Sequence, residues 1–396
     1  MKEGTVAVLD AARCTGCCAC ANACPTNAIS MLQGAEGFSA PVIDEAKCIA
    51  CGKCVKSCPV LTPLESADSR FQEVYAAWSL DDDIRFESTS GGAFSEFALA
   101  WLALGGSLCG ACYGEGQRVE HIVVDSKDGL AAIRQSKYAQ SDIGDCYRQI
   151  RDALKHGRRM LFCGSPCQCA GLISYLGGRP EGLFVVNFVC RGINSPKAFA
   201  SFLSWLEGCY GSKVSRVWFK NKVHGWNRFS TRVEFKNGRV YSKDRYHDLF
   251  MRGYIEQNLY MRECCHACEF RNLAQTADVT LADFWGVKLE DASRNIDLGT
   301  SLVVINSERG RELFEMIRPR LFWEQKTIEE AFSGNACMAE SPKPNPMRTY
   351  FLSHLGDVPF DELCRECFKE PPALMRSVAS AKRAIGALLR KCGIRR

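Results

Sequence analysis

Two blocks of four cysteines open the chain. Cys14-x2-Cys17-x2-Cys20-x3-Cys24-Pro25 recurs as Cys48-x2-Cys51-x2-Cys54-x3-Cys58-Pro59, each cysteine displaced by 34 residues from its counterpart. Thiolates at this spacing hold iron–sulfur cubes: three on one tight loop grip three irons, and the fourth, heading the next segment, reaches the other cube. Cys14, Cys17, Cys20 and Cys58 are therefore expected at one [4Fe–4S] cluster, and Cys48, Cys51, Cys54 and Cys24 at a second. Pro25 and Pro59 turn the chain away after the fourth ligand, and Cys18 breaks the spacing and reads as a bystander. A pair of zinc knuckles is the competing reading, but zinc sites use C-x2-C pairs in fours, not two such blocks each ending in Pro. Clusters exchange single electrons, so electron transfer is the chemistry expected of this region.

Other candidates lie further along. Gly164-Ser165-Pro166-Cys167 follows the apolar run Met160 to Phe162 and precedes a helical stretch ending near Gly177-Gly178. A strand-to-helix turn exposes backbone N–H groups that suit phosphate or cluster sulfide; a plain turn with a small buried Cys is the alternative. Ser90-Gly91-Gly92 opens a buried helix, Ala93 to Leu104, where glycines admit a flat ring or phosphate, or Ser simply caps. Lys137-Tyr138 brings a charge and an aromatic face to the same kind of site, or is a solvated loop. Cys190 ends the apolar run Leu183 to Val189, and Cys265-x2-Cys268 is a chelating pair in which Cys264 competes with Cys265. Asp283-Phe284-Trp285-Gly286 follows the alternating Val279-Thr280-Leu281, so Asp283 sits at a strand end where it meets a ligand, or begins a turn with an aromatic anchor. Cys109-x2-Cys112 and Cys364-x2-Cys367 read as structural or free thiols. The six histidines form no pair at metal-ligand spacing, and neither a Walker loop nor a G-x-S-x-G elbow is present.

These residues need elements to hold them. The chain has 396 residues, 46% of them apolar, and 24 cysteines. Disulfide scaffolds are small and loop-rich, whereas this chain is long and rich in Val, Ile, Leu and Phe. The short apolar run Val6 to Leu9 is no signal-peptide core, and no run approaches the roughly 20 residues that span a bilayer. A cytoplasmic protein with reduced or metal-bound thiols is expected, with an anaerobic host as an association. Net charge is +5, yet seven Lys or Arg and no acid lie between Ala373 and Arg396, leaving the body close to neutral. That argues against a nucleic-acid partner. The tail carries Leu374, Val378, Ala381, Ile385, Leu388 and Cys392 on one helical face, a stripe for a membrane surface or an acidic partner such as ferredoxin, or else a solvated helix end. Alternating strands and helices beyond residue 70, with an antiparallel insertion around Val217 to Phe219 and Arg232 to Phe235, predict an α/β domain behind a small α+β ferredoxin-like one. The expected divisions are 1–66, 67–370 and the basic tail 371–396.

From about residue 71 to residue 355 the sequence resembles the coenzyme F420 hydrogenase/dehydrogenase beta-subunit family. The likeness rests on an ordered set: Ser88-Thr89-Ser90-Gly91-Gly92-Ala93, Ser136-Lys137-Tyr138-Ala139-Gln140-Ser141, Phe162-Cys163-Gly164-Ser165-Pro166-Cys167-Gln168-Cys169-Ala170-Gly171-Leu172, Val189-Cys190-Arg191-Gly192-Ile193-Asn194-Ser195-Pro196-Lys197, Cys265-His266-Ala267-Cys268-Glu269-Phe270 and Ala282-Asp283-Phe284-Trp285-Gly286. Ser165, Arg191 and Ala282 stand where the family usually has Thr, His and Gly. The resemblance implies an FAD-containing domain, with Ser90, Gly91, Gly92, Lys137, Tyr138, Ser141, Gly164, Ser165, Pro166, Gln168, Asp283 and Phe284 as cofactor contacts. It also implies a third [4Fe–4S] cluster on Cys167, Cys190, Cys265 and Cys268, which the emergence of Cys167 and Cys190 at one carboxyl edge of a sheet supports. FAD would exchange a hydride with a small-molecule donor or acceptor, the deazaflavin or another, and pass single electrons to the clusters and a redox partner such as ferredoxin. The rivals are a non-catalytic electron-transfer subunit and a cluster-based redox sensor. No catalytic residue is singled out.

Overall fold

The computed structural model describes residues 4–65, 72–271 and 276–368. The boundary expected at 66/67 and the basic tail lie outside the described residues.

In the N-terminal module, β1 (Ile29–Gln33) and β2 (Ser39–Ile43) pair antiparallel. Short helices, Ala19–Ala23 and Lys53–Lys56, each begin within a cysteine block. The repeat extends to the backbone. Gly16 and Cys18 take φ of 69° and 64°, and their counterparts 34 residues on, Ala50 and Gly52, take 53° and 70°. A loop curled round three thiols needs two left-handed residues. Cys18 fills such a position where the second block has Gly52, at roughly 1 kcal/mol for a residue with a Cβ.

The larger part is built on an eight-stranded mixed sheet. Its strands are β3 (Glu73–Ser79), β4 (Ser107–Tyr113), β5 (Val119–Val124), β6 (Met160–Gly164) and β7 (Leu183–Phe188), with three more beyond the insertion. The insertion is a separate antiparallel sheet of β8 (Val214–Asn221), β9 (Ser230–Phe235) and β10 (Val240–Asp244). The large sheet is completed by β11 (Val279–Asp283), β12 (Ser301–Ile305) and β13 (Leu321–Lys326), in the order β13-β3-β12-β11-β7-β6-β4-β5. The central four strands, β11, β7, β6 and β4, run parallel, and the flanks are antiparallel. Parallel strands covered on both faces read as continuous apolar runs, which is why β6 and β7 stand out in the sequence. Helix Ala93–Ala103 is buried against this sheet with Phe97 and Phe184 at its core.

After β6 the chain turns into helix Pro166–Leu176, with Pro at its first turn and Gly177 in the left-handed conformation at its end. The carboxyl ends of β6, β7 and β11 thus bring Gly164, Cys190 and Asp283 to one edge, since Leu281 pairs with Phe188 and the Val189 amide donates to the Leu281 carbonyl at 3.0 Å. The three-stranded sheet packs with helices Pro196–Tyr210, Leu249–Ile255 and Phe360–Cys367 around an aromatic core of Phe202, Phe219, Phe250, Tyr260, Phe351 and Phe360. Cys109 and Cys112 lie on β4 and Cys364 and Cys367 on the last of those helices, all four buried. Among the described residues no helix is long and apolar enough to cross a membrane.

Arginines fasten the N-terminal module to the large domain. Arg262 donates to the Cys14 carbonyl at 2.6 Å, and Arg148 to the carbonyls of Ala21, Asn22 and Cys24 at 2.8, 2.9 and 3.2 Å. Arg348 grips Glu36 with two hydrogen bonds, as Arg13 grips Glu269. Cys17 lies so close to the helix after β6 that a Cβ on Gly171 would stand 3.0 Å from its sulfur.

Candidate functional site

Four cavities hold the residues singled out by chemistry. Cys14, Cys17, Cys20 and Cys58 line one, with Cys18 beside them. Cys24, Cys48, Cys51 and Cys54 line another. The exchange of the fourth cysteine between blocks is thus present in the geometry: Cys24 faces the second block and Cys58 the first. Backbone amides turn toward the sulfurs, Val6 to Cys54 at 3.3 Å and Ala28 to Cys24 at 3.2 Å. The second cavity is the outer one, with Cys51 exposed. Among the described residues no three His, Cys, Asp or Glu side chains converge as ligands of a single ion would.

A third cavity, of about 590 Å³, lies against the first block. Cys167, Cys190, Cys265 and Cys268 all open onto it, joined by Cys264 and Cys337. Three separate segments supply the four expected sulfurs: the helix N-terminus after β6, the end of β7, and the 3-10 turn Glu263–Ala267. Cys265 and Cys264 are distinguished by their surroundings. The Ile193 amide donates to the Cys265 sulfur at 3.3 Å. A hydrogen bond from Cys264, and then the Ile193 amide with Arg262 and Arg271, lower the Cys265 pKa against the cost of burial, while Cys264 is raised by that same bond and by burial. Burial pushes Cys167 up to about 12 and Cys190 up as well, so an unpaired thiolate is disfavoured there and a metal is what would hold it ionised. Arg191 turns away toward the Ile255 carbonyl and Asn258 Oδ1, at 2.8 and 2.7 Å, with Cys337 Sγ 3.7 Å from its guanidinium.

The fourth cavity, about 450 Å³, shares Cys190, Arg191, Gly192, Ile193 and Cys337 with the third. It is within the size range of small-molecule sites. Ser90, Gly92, Lys137, Tyr138, Ser141, Gly164, Gln168 and Asp283 line it. Gly91, Ser165, Pro166 and Phe284 stand off its wall. Gly91 is required by the sheet, since a Cβ there would lie 2.4 Å from the Ala77 carbonyl. Ser165 closes the helix start, its amide donating to Gln168 Oε1 at 3.0 Å, and Pro166 lines the four-cysteine cavity. Phe284 is fully buried in a core with Val74 and Leu302, while Trp285 lines the cavity. Alternation past the end of β11 sends Asp283 and Trp285 one way and Phe284 the other. Helix Ala93–Ala103 is capped by Gly92 at φ 93°, not by Ser90, whose hydroxyl donates to the Thr300 carbonyl at 2.6 Å.

Polar groups along this wall lack partners among the described residues. His121 Nε2 meets the Cys163 carbonyl at 3.2 Å, which fixes it as the N–H and leaves Nδ1 an acceptor with no partner. Burial lowers the His121 pKa to about 4, so the ring is neutral. Asn194 Oδ1 and the Nε atoms of Arg134 and Arg191 are likewise buried and unsatisfied. Unpaired donors and acceptors round an enclosed volume fit a polar, partly flat ligand such as a flavin nucleotide. Lys137 is held by the carbonyls of Ala132, Arg134 and Gln135 at 3.1, 2.5 and 3.3 Å, and burial lowers its pKa to about 7.

Lys220, Phe229 and Arg245 stand outside the motifs, and Trp285 stands within one without being named a contact, yet all four line this cavity. The available signal was a Lys directly following the apolar run Val217 to Phe219. Lys220 is 6% exposed and ion-paired with Asp283, whose other oxygen accepts from Trp226 Nε1 at 2.9 Å.

Residues 13–61 match the family described as 4Fe-4S dicluster domain, and residues 40–92 match a second family of that description. Residues 157–331 match the family described as the C terminus of the beta subunit of coenzyme F420 hydrogenase/dehydrogenase. Cys167, Cys190, Cys265 and Cys268 fall within that span, and Cys337 falls beyond it. No curated protein sequence matches the chain. Among solved structures, a chain of the F420-reducing [NiFe] hydrogenase complex from Methanosarcina barkeri, xenon-derivatised, is similar at 17% identity and a TM-score of 0.44, over 76% of this chain and 94% of that one. The protein is thus an iron–sulfur protein for electron transfer, carrying a 4Fe–4S dicluster module and related over residues 157–331 to the beta subunit of coenzyme F420 hydrogenase/dehydrogenase.

Proposed function

We propose that the protein is a flavin-dependent iron–sulfur oxidoreductase. It exchanges a hydride with a small organic molecule at the 450 Å³ cavity and relays single electrons through three clusters. The observation that carries this is the shared wall: the cavity fit for a flavin and the cavity of Cys167, Cys190, Cys265 and Cys268 have Cys190 in common. The four-cysteine cavity in turn adjoins the Cys14 block, whose Arg13 and Thr15 line it. The order of sites is then flavin cavity, four-cysteine cavity, Cys14 block, Cys48 block.

A bound FAD would supply the conversion between two-electron and one-electron chemistry, which clusters alone cannot perform. The chain's own residues bind, orient and enclose. Ser141, Gly164 and Gln168 form the wall at β6 and its helix, where Gln168 Nε2 donates to Ser141 Oγ at 2.9 Å. Ser90 lines the cavity at the start of β12, and Tyr138 lines it beside Phe219 of the inserted sheet. Neutral His121 offers an acceptor for a ligand N–H. Phe229 and Trp285 offer flat faces from the inserted sheet and the Asp283 segment. Cys190 and its three partners would hold the intermediate cluster. A soluble redox protein such as ferredoxin is the partner this relay calls for, reached at the exposed Cys51 end.

The test is composition. Anaerobically purified protein should contain about twelve irons and release FAD on acid extraction. Cys167→Ala and Cys268→Ala should each lower iron to about eight while the ferredoxin-type signals persist. A folded protein with about eight irons at the outset, taking up neither FAD nor FMN on reconstitution, would sink the proposal.

A further inference from the structure

The inserted sheet reaches the cavity through a distortion. Trp218 pairs with Arg232 and Asn221 with Ser230, so β8 carries one more residue than β9 between those pairs. This is a β-bulge, a device that re-aims a side chain and is common beside active sites. Lys220 lies within it at φ 55°, a left-handed conformation that a residue with a Cβ rarely takes. The result is a buried ammonium aimed at the cavity from a strand whose neighbours are core. Strain of this kind persists where surrounding structure holds it, and it clusters at functional sites.

What surrounds the ammonium is specific. Asp283 is its ion-pair partner, and the Tyr138 hydroxyl also interacts with it. The rings of Phe229 and Trp285 face it at 5.2 and 5.1 Å, and Trp226 stacks on Trp285 at 4.3 Å. Arg245 lies over the same two rings at 4.9 and 5.6 Å and has no acidic partner among the described residues. This end of the cavity therefore sets two cations against one carboxylate. Burial works against the Lys220 charge, but Asp283 and then Tyr138 outweigh it and raise its pKa, so it stays an ammonium. Asp283 leaves β11 beside the strand that delivers Cys190, so the excess charge sits where a ring must lie to serve the four-cysteine cavity.

We propose that Lys220 balances the charge that hydride uptake places on the redox ring. The proposal rests on the flavin reading above. A hydride carries two electrons and one proton: the C–H bond of the donor breaks, an H–ring bond forms, the donor becomes one charge more positive and the ring gains one negative charge. Lys220 gives up no proton. Its fixed positive charge favours the reduced form, and Asp283 positions it while limiting that preference.

Affinities of the full-length anaerobic protein for oxidised and for dithionite-reduced FAD test this. Lys220→Met should bind oxidised FAD nearly as the parent does but lower the reduced-to-oxidised affinity ratio on the order of tenfold, the loss expected of one nearby enclosed charge. Lys220→Arg should keep the ratio within about threefold, since the charge stays. Asp283→Asn should move it the opposite way, because it removes the opposing charge. Equal loss on both forms in Lys220→Met, an unmoved ratio, or a shift in Asp283→Asn of the same sign would overturn the proposal. If Lys220→Met does not fold, the sign in Asp283→Asn decides. A parent protein that binds no flavin overturns the flavin reading and this one together; a flavin-binding parent with unmoved variants overturns this one alone.

Discussion

Cys18 and Cys14 are four residues apart, and both are buried, but different constraints hold them. Cys18 occupies the left-handed position that the second block gives to Gly52, and its thiol meets the Gly16 carbonyl at 3.5 Å and the Ile143 backbone. Cys18→Gly is expected to keep the full iron content and the cluster spectrum, whereas Cys14→Ala should lose iron from the first block; iron assay on anaerobic protein separates them. A similar contrast is expected in the third cavity. Cys265 receives the Ile193 amide and Cys264 does not, so Cys265→Ala should remove about four irons and Cys264→Ala should leave them. The cysteine blocks were legible in sequence because ligand spacing along a tight loop needs no tertiary information. The sharing of Cys24 and Cys58 between blocks came with them. Lys220 was not legible, because a bulge one residue long has no mark in a single sequence, and without it the same Lys would point to the opposite face. Phe284 packs in the core beside Val74 and Leu302 while strand alternation turns Trp285 to the cavity, a distinction that the motif alone does not carry.

At the scale of elements, Ser90-Gly91-Gly92 was legible as a special turn but not for its reason. Gly91 is pressed between the ends of β3 and β12, with the Ala77 carbonyl 2.4 Å and the Ser301 amide 2.8 Å from where a Cβ would lie. Gly91→Ala should therefore destabilise the fold by roughly 1–3 kcal/mol, as overpacking does, and thermal unfolding of cofactor-free protein should show it as strongly as that of loaded protein. A drop seen only in the loaded form would place Gly91 against the ligand instead. The central parallel strands β6 and β7 announced themselves as apolar runs, and the inserted hairpin by its alternation and the Asn237-Gly238 turn. β4 and β13 did not. β4 carries Cys109, Gly110 and Cys112, and β13 carries Glu324, Gln325 and Lys326. Such compositions become strands through pairing with a neighbour already in place, which local propensity does not record.

Over the whole molecule, the dicluster module and the large domain meet through arginine fingers that grasp main-chain carbonyls as well as carboxylates. Arg262 holds Cys14 and Arg148 holds Ala21, Asn22 and Cys24, all on the first cysteine block. Arg148→Ala should leave total iron unchanged yet slow electron passage from flavin to the outermost cluster, read as a slower second phase in rapid-mixing reduction. Unchanged kinetics would mean that the contact is not needed for alignment. These carbonyls point where they do because the block is wrapped round its metal, and folding of such a block follows metal loading. The large domain is therefore expected to work as a gauge, with a block that lacks its cluster failing to present the row of carbonyls that Arg148 and Arg262 hold. Chelator-treated protein should release an N-terminal fragment under brief protease exposure while the loaded protein resists, and equal resistance would refute the gauge. The consequence expected of such an interface is a checkpoint on maturation as well as a joint, since an unloaded copy would expose its N-terminal segment to proteolysis before it ever carried an electron.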